Sequence, residues 1–423
     1  METASAPPNA PASAAASTPN EAPNEGVLRA LTGMMFLMFA MTSDAVGSII
    51  PKVIEEFHLS VKAGGAFQYA PMTAIALGAI LLGFLADGFG RKRTIVLGLL
   101  CYGISSLLFA FGSTFNVFVV LLALSGLGIS IFKIGALALV GDISHSAEQH
   151  TSTMNLVEGF FGVGSIAGPA IVAVLLTHGF SWKWLYVFAA VICAILMLIA
   201  VVVRYPTVTR PTDEPINLGR TMRMMSNPYA LGFSTLIMLY VAVEVAIYVW
   251  MPTYLQGFRG HGGSSTWLVA YALTIFFVLR AGGRFLGIWL LQRFHWAAVL
   301  ALLSFAILLC FAASLVGGIG WGVYLLPFSG LFMSMMYPTL NSKGISCFPR
   351  FEHGAVAGVI LFFTAAAAAA GPLAMAAISD AHGGDTTYGF ALATLFAALL
   401  FAGLVYNWLR DPAGRRLQQL SDA

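Results

Sequence analysis

The chain has 423 residues, 59% of them apolar and 9% charged, with a mean hydropathy of +0.85. A soluble domain carries about 25% charged residues, so this composition cannot cover a water-facing surface and a soluble enzyme is excluded. The formal net charge of +3 is too small and too scattered to serve nucleic acid. Lipid is the remaining solvent, and there every backbone N–H and C=O needs an internal partner, so only helices or closed barrels span it. Barrel strands alternate apolar and polar residues over roughly ten positions. The apolar runs here last about twenty, the helix length for a ~30 Å hydrocarbon core.

Taken in chain order, residues 1–28 are expected to form a disordered cytoplasmic tail. The first 25 are rich in Ala, Pro, Ser and Asn and hold no Lys or Arg, so they also lack the basic start of a cleavable signal. Twelve spans are expected near 29–51, 65–86, 94–112, 117–141, 153–176, 184–203, 229–256, 265–288, 297–315, 321–343, 354–378 and 388–409, to within about four residues. The longest polar break, 204–228, carries Arg204, Arg210, Arg220 and Arg223. It is the expected cytoplasmic linker between an N-terminal six-helix bundle, 29–203, and a C-terminal one, 229–409, followed by a tail, 410–423. The fold expected is an all-α membrane protein of twelve helices in two pseudo-symmetric bundles.

Lys and Arg in short loops favour the cytoplasmic side. With the N-terminus inside, fourteen of the 21 basic residues fall on the inner side, four on the outer, and Lys133, Arg280 and Arg284 within spans. Both termini are therefore expected in the cytoplasm, in the plasma (inner) membrane. The halves repeat in the same sense. Asp44 lies seven residues before Pro51, and Glu244 eight before Pro252. Gly83 and Gly283 are 200 apart, and Gly168-Pro169 recurs 203 residues on as Gly371-Pro372. Parallel repeats place a solute site between the halves near the midplane, exposed alternately as one half rocks on the other.

Residues 83–93, Gly-Phe-Leu-Ala-Asp-Gly-Phe-Gly-Arg-Lys-Arg, resemble the loop between spans two and three that marks the major facilitator superfamily. The resemblance implies that this loop latches the cytoplasmic side of the N-terminal half against span eleven, which gives Gly83, Asp87, Gly90 and Arg91 a gating role. A narrower resemblance is to the fucose/glucose/galactose proton symporters. It is carried by Phe328 to Asn341 in span ten, including Tyr337-Pro338-Thr339, by Val243-Glu244 in span seven and by Met154-Asn155-Leu-Val-Glu158 in span five. That family carries an Asp in span one, which Asp44 matches, and a Glu in span four, where this chain has Lys133.

An ionised side chain at mid-bilayer costs roughly 2.5–3.5 kcal/mol, so those inside spans are functional candidates. Five are clear: Asp44, Lys133, Glu158, Glu244 and Arg280. At ~1.5 Å per residue, Lys133 and Glu158 lie at similar depths, ~12 and ~8 Å, and are expected to pair, as a lock or as a switch. The five then leave one carboxylate over, and Asp44 is the expected proton-coupling site. Its repeat mate Glu244 is the second candidate, with a bridge to Arg280 as its other role, although their expected depths differ by ~10 Å.

Gln68, Asn155, Trp250, Tyr337 and Asn341 are the expected solute contacts, since amides, hydroxyls and aromatic faces suit a sugar. Tyr254 reads as an interface residue. The glycines of span five (159, 162, 164 and 168) and the Ala365–Ala370 run read as close-packing faces. His145 and His150 read as solvated. Cys101, Cys193, Cys310 and Cys347 have no metal or disulfide spacing, and no GxxxxGK[ST] motif for ATP appears. The function expected is proton-coupled uptake of a sugar or sugar-like solute, without metal or cofactor, by a monomer. Symport of an organic anion or sugar acid received by Lys133 or Arg280, and proton-driven efflux, are the alternatives.

Overall fold

The computed structural model describes residues 24–59, 61–206, 218–255, 258 and 264–421. Most of the expected tail, Arg210 and Arg259 lie outside them. The described chain is helical, and its long helices fall where the twelve spans are expected. Ten are long and apolar enough to cross a membrane. The other two are span two, Ala66–Leu82, shortened by a break before Leu85–Gly88, and span three, Arg91–Leu108, whose first three residues are all basic.

Local sequence sets the ends. Asn24 accepts from Val27 N and Glu25 pairs with Arg29, so span one starts at Glu25, four residues before its expected start. Ser146 caps span five, Ala147–Thr177, and Asn227 with Pro228 at the first position starts span seven. Gly90, at φ +86°, turns the chain between spans two and three, a conformation that favours glycine. Spans four, six, nine and twelve are the single helices Phe115–Asp142, Trp184–Val202, Trp296–Val316 and Thr386–Arg410. Span eight, Ser264–Arg293, and span eleven, His353–Ala381, are also single helices.

Besides span two, three spans are interrupted. Span one is Glu25–Ser43 and Val46–Phe57; span ten is Ile319–Met333 and Met336–Ser346. Span seven, Pro228–Val245, widens into a π-helical turn over Ala246–Trp250 before Met251–Leu255.

Within the first half, span one lies along span five and spans three and four pack together; in the second, span seven lies along span eleven and span nine along span ten. Small residues allow the closest approaches. A methyl on Gly164 or Gly168 would collide with the carbonyl oxygens of Leu37 and Met41 in span one. The halves meet where span eleven crosses spans two and four, and where the second helix of span ten and span eight cross span five. At the first crossing a methyl on Gly358 would fall 2.6 Å from the Ala79 oxygen and 2.7 Å from Gly83 Cα. Outward positions such as Leu198, Leu302 and Val201 are exposed and apolar. They would be a liability in water and are the natural lining of a helix bundle in lipid.

Candidate functional site

The interruptions build the centre of the molecule. Pro338 has no N–H to give the carbonyl of residue 334, and its ring crowds that oxygen. Span ten breaks there, and other helices satisfy the freed carbonyls. The Tyr240 hydroxyl lies 3.0 Å from Met333 O, and Arg284 Nε donates to Ser334 O at 3.4 Å. Pro252 likewise withholds an N–H from residue 248, inside the π-helical turn that follows Glu244. Irregular backbone at this depth survives only where protein satisfies it.

Around these breaks lies a layer of buried charge. Glu244 Oε1 is 2.6 Å from Arg280 Nη2 and 2.6 Å from the Tyr240 hydroxyl. Glu158 Oε2 faces Arg284 Nη2 at 3.8 Å across the junction of the halves. Gly162, one turn further along span five, leaves room for this guanidinium: a methyl there would sit 3.1 Å from Arg284 Nη1. Arg280 Nε and Arg284 Nη1 are buried with no hydrogen-bond partner among the described residues.

The expected Lys133–Glu158 pair does not form. Lys133 Nζ lies instead over two aromatic rings, 4.9 Å from the centroid of Phe161 and 5.6 Å from that of Phe36. Equal depth fixes height on two helices but not direction, and Glu158 points to the other half, where Arg284 meets it. Arg284 also changes the charge balance, because six intramembrane charges cancel where five left a carboxylate over. The Glu244–Arg280 bridge, doubtful on depth, closes because span eight runs to Arg293. Arg280 is thereby ~20 Å along its helix from that end and level with Glu244 at ~24 Å.

Asp44 occupies the break in span one. It accepts hydrogen bonds from the hydroxyls of Ser43 and Ser165 and has no ion-pair partner among the described residues. Tyr248, from the other half, lies within electrostatic reach of both Asp44 and Glu244. The two repeat mates therefore face one junction, each beside an interruption of its own span.

The face that carries Arg91 is sealed. Arg91 joins Asp87 Oδ1 and Asp142 Oδ2, each at 2.7 Å, and donates to Arg350 O at 2.6 Å. Asp87 also accepts from the backbone N–H groups of Gly354 and Ala355, at 3.0 and 2.8 Å. These are the unpaired donors at the start of span eleven, where the helix dipole favours an anion. Arg350 donates to Ser144 O, His150 bonds Ser346, and Thr151 bonds Ser342, all between halves. His150 is therefore buried, against its reading as solvated; it lies on the inward side of span five and its ring stacks 6.3 Å from that of His353. His145 is exposed and bridges to Glu25. Along span five, nearly every position from His150 to Glu158 is buried, whereas Gly159 to Val163 are all at least partly exposed. The seal thus ends at the charged layer.

The expected solute contacts divide. Gln68 is half-buried near the start of span two, and Trp250 donates to Pro372 O, which ties span seven to span eleven. Asn155 is buried and uses its amide N–H on Thr151 O, leaving Oδ1 unpartnered. Tyr337 sits beside Asn341 and Thr364, and no well-formed hydrogen bond satisfies either amide atom of Asn341. Tyr254 is buried and donates to Ser314 O, so it joins helices within its half.

A family model described as the Major Facilitator Superfamily matches residues 32–372. The chain belongs to the major facilitator superfamily. Among curated relatives, a protein TsgA homolog of Buchnera aphidicola subsp. Schizaphis graminum is 25% identical over 229 residues, 53% of this chain and 57% of the relative. The chain thus spans little more than half the length of that relative. A glucose/galactose transporter of Brucella abortus is 24% identical over 395 residues, 89% of this chain and 93% of its own. Among solved structures, FucP in an outward conformation superposes with a TM-score of 0.76 at 20% identity, covering 90% of this chain and 99% of that one. The major facilitator fold, with its two six-helix bundles, and the expectation that the chain is no enzyme both hold.

Within this superfamily member, sequence reasoning missed Arg284, Tyr240, Asp142 and Arg350. Arg284 carried a signal: it lies four residues after Arg280, so both face the same side of span eight. Tyr240 stands in the same relation to Glu244.

Proposed function

We propose that this protein is a secondary active transporter that takes up a sugar or sugar-like solute together with protons, by alternating access. The observation that carries the reading is Asp44. It is a carboxylate set at a helix break, facing the junction of the halves, with hydroxyl partners and no cation. A carboxylate held inside the membrane without a cation is a functional candidate by default, and coupling to a proton gradient requires an acid of this kind. The likeness to a glucose/galactose transporter over most of both chains, and to FucP, described elsewhere as the E. coli fucose:proton symporter, supports a sugar as solute.

Glu244 is the second candidate for the proton site in this reading. The Tyr240 hydroxyl has one hydrogen and two neighbouring acceptors, Glu244 Oε1 and Met333 O. A proton on Glu244 completes the chain from Glu244 to Tyr240 to the Met333 carbonyl, and releases Arg280. The halves that rock are 29–203 and 229–409, joined by 204–228, and the Asp87–Arg91 latch is the gate. The basic loops support a reading in which the sealed face and both termini lie on the cytoplasmic side of the plasma (inner) membrane and the protein acts as a monomer with its site open outward.

The test is transport by reconstituted protein under an imposed pH gradient. Asp44→Asn is expected to abolish proton-driven accumulation while leaving solute exchange partly intact. Accumulation at the wild-type level in that variant rejects the assignment.

A further inference from the structure

We propose that the solute carries a carboxylate and that Lys133 receives it. The inference rests on the sugar-carrier reading above and narrows the solute class to a sugar acid. Of the six intramembrane charges, Glu244 is paired with Arg280 and Glu158 with Arg284. Lys133 has no carboxylate partner among the described residues. It is half-buried at the level of the charged layer, and none of its three N–H donors makes a hydrogen bond to a described residue. Its ammonium lies over the faces of Phe161 and Phe36. Aromatic faces stabilise an ammonium but leave its donors unused, and a cation held this way attracts an anion. A second cationic donor borders the same turn of span five. Phe161 lies under Lys133, and the next residue, Gly162, is the gap through which Arg284 presents its unpartnered Nη1. Two cationic groups, each with N–H donors unpartnered among the described residues, therefore border one turn of span five, at the edge of the sealed stretch. A carboxylate matches this set, whereas a neutral sugar leaves Lys133 unanswered.

Charge balance then links solute to proton. With Asp44 ionised the six charges cancel. A proton on Asp44 leaves the layer with one positive charge, and a monocarboxylate restores neutrality. The elements packed on span one carry Lys133 (span four) and Glu158 (span five), and across the junction Tyr248 of span seven lies within electrostatic reach of Asp44 and also of Glu244 and Arg280. Tyr102 of span three joins them through Thr42, at 2.7 Å, and Tyr186 stands on span six. None of these forms an ion pair with Asp44. Proton and carboxylate each remove the charge the other creates, so each raises the affinity for the other, and the loaded carrier crosses without net charge.

The experiment is counterflow into proteoliposomes containing the full chain, with labelled D-glucuronate, D-galacturonate, D-glucose and D-galactose as probes. The acids are expected to exchange at least about tenfold better than their neutral counterparts. Acid uptake should be driven by an inward proton gradient and be indifferent to a clamped membrane potential. Lys133→Gln should lose about tenfold for the acids and nothing for residual neutral exchange, while Lys133→Arg stays within about threefold of wild type. Neutral sugars exchanging as well as the acids, with Lys133→Gln unaltered, overturn the carboxylate assignment and leave the sugar carrier standing. No exchange of any of the four by monodisperse protein overturns the sugar reading itself. If Lys133→Gln does not fold, the acid-to-neutral ratio of the wild type and the behaviour of Lys133→Arg still decide.

Discussion

At the scale of single residues, the site is a set of charges whose partners follow from direction rather than height. Arg284 shows this best. Its guanidinium reaches Glu158 and the Ser334 carbonyl at once, and both groups are nearly fully buried. Removing one member of a buried pair strands the other and costs ~3 kcal/mol or more, whereas removing both costs far less. Glu158→Gln is therefore expected to lower the thermal stability of purified protein sharply, and Glu158→Gln with Arg284→Gln to recover most of the loss. A double variant no more stable than the single would show that the two do not act as a pair. The residue types of the site were legible in the sequence, because charge inside an apolar span is costly enough to announce itself. Which charge meets which was not. Lys133 and Glu158 lie on consecutive spans at similar heights, and nothing in the one-dimensional pattern turns Glu158 toward the opposite half.

At the scale of elements, the spans were legible almost throughout, since twenty-residue apolar runs have few interpretations. The interruptions were less so. Pro338 and Pro252 explain the irregular turns beside them, but the break at Asp44 precedes Pro51 by seven residues and has no helix-breaking residue at the site. Packing against span five, where Ser165 binds Asp44, supports it. The small-residue faces were legible in kind, yet differ in use: Gly164 and Gly168 are pressed on span one, Gly162 admits Arg284, and Gly159 has open space. Among the described residues, the tightest backbone-on-backbone crossing at a glycine between halves is Gly358 on Ala79 and Gly83. Backbone cannot yield there as a side chain could, so Gly358→Ala is expected to hold the sealed face apart. Spin labels at His145 and Arg293, one in each half, should then report a longer distance than in the parent protein. An unchanged distance distribution would mean that the crossing tolerates a methyl and does not limit closure.

At the scale of the whole molecule, the seal is strongest where one carboxylate serves two roles. Asp87 holds Arg91 within its own half and receives the first N–H groups of span eleven from the other. Half of this arrangement was legible, in the Gly83 to Arg93 loop. The other half was not, because its partners are backbone groups of residues 350, 354 and 355, which leave no mark on composition or spacing. Asp87→Asn removes the charge that attracts both sets of donors and keeps the shape. It is expected to lengthen the same His145 to Arg293 distance and to raise labelling of Ser346→Cys by a soluble maleimide. Labelling as slow as in the parent would place the seal elsewhere, in the contacts of His150 and Thr151 with span ten.

The short helix Leu218–Met225 has its own consequence. It touches span two, span seven and span eleven together, with Thr221 fully buried against Gly83 and Met222 turned outward. In the proposed alternating-access cycle a segment bound to both halves cannot keep all its neighbours when they part, so each turnover would peel it from one of them. It is a ready-made optical handle: a dye on Met222 would change brightness once per cycle, and would count strokes without any chemical knowledge of the cargo.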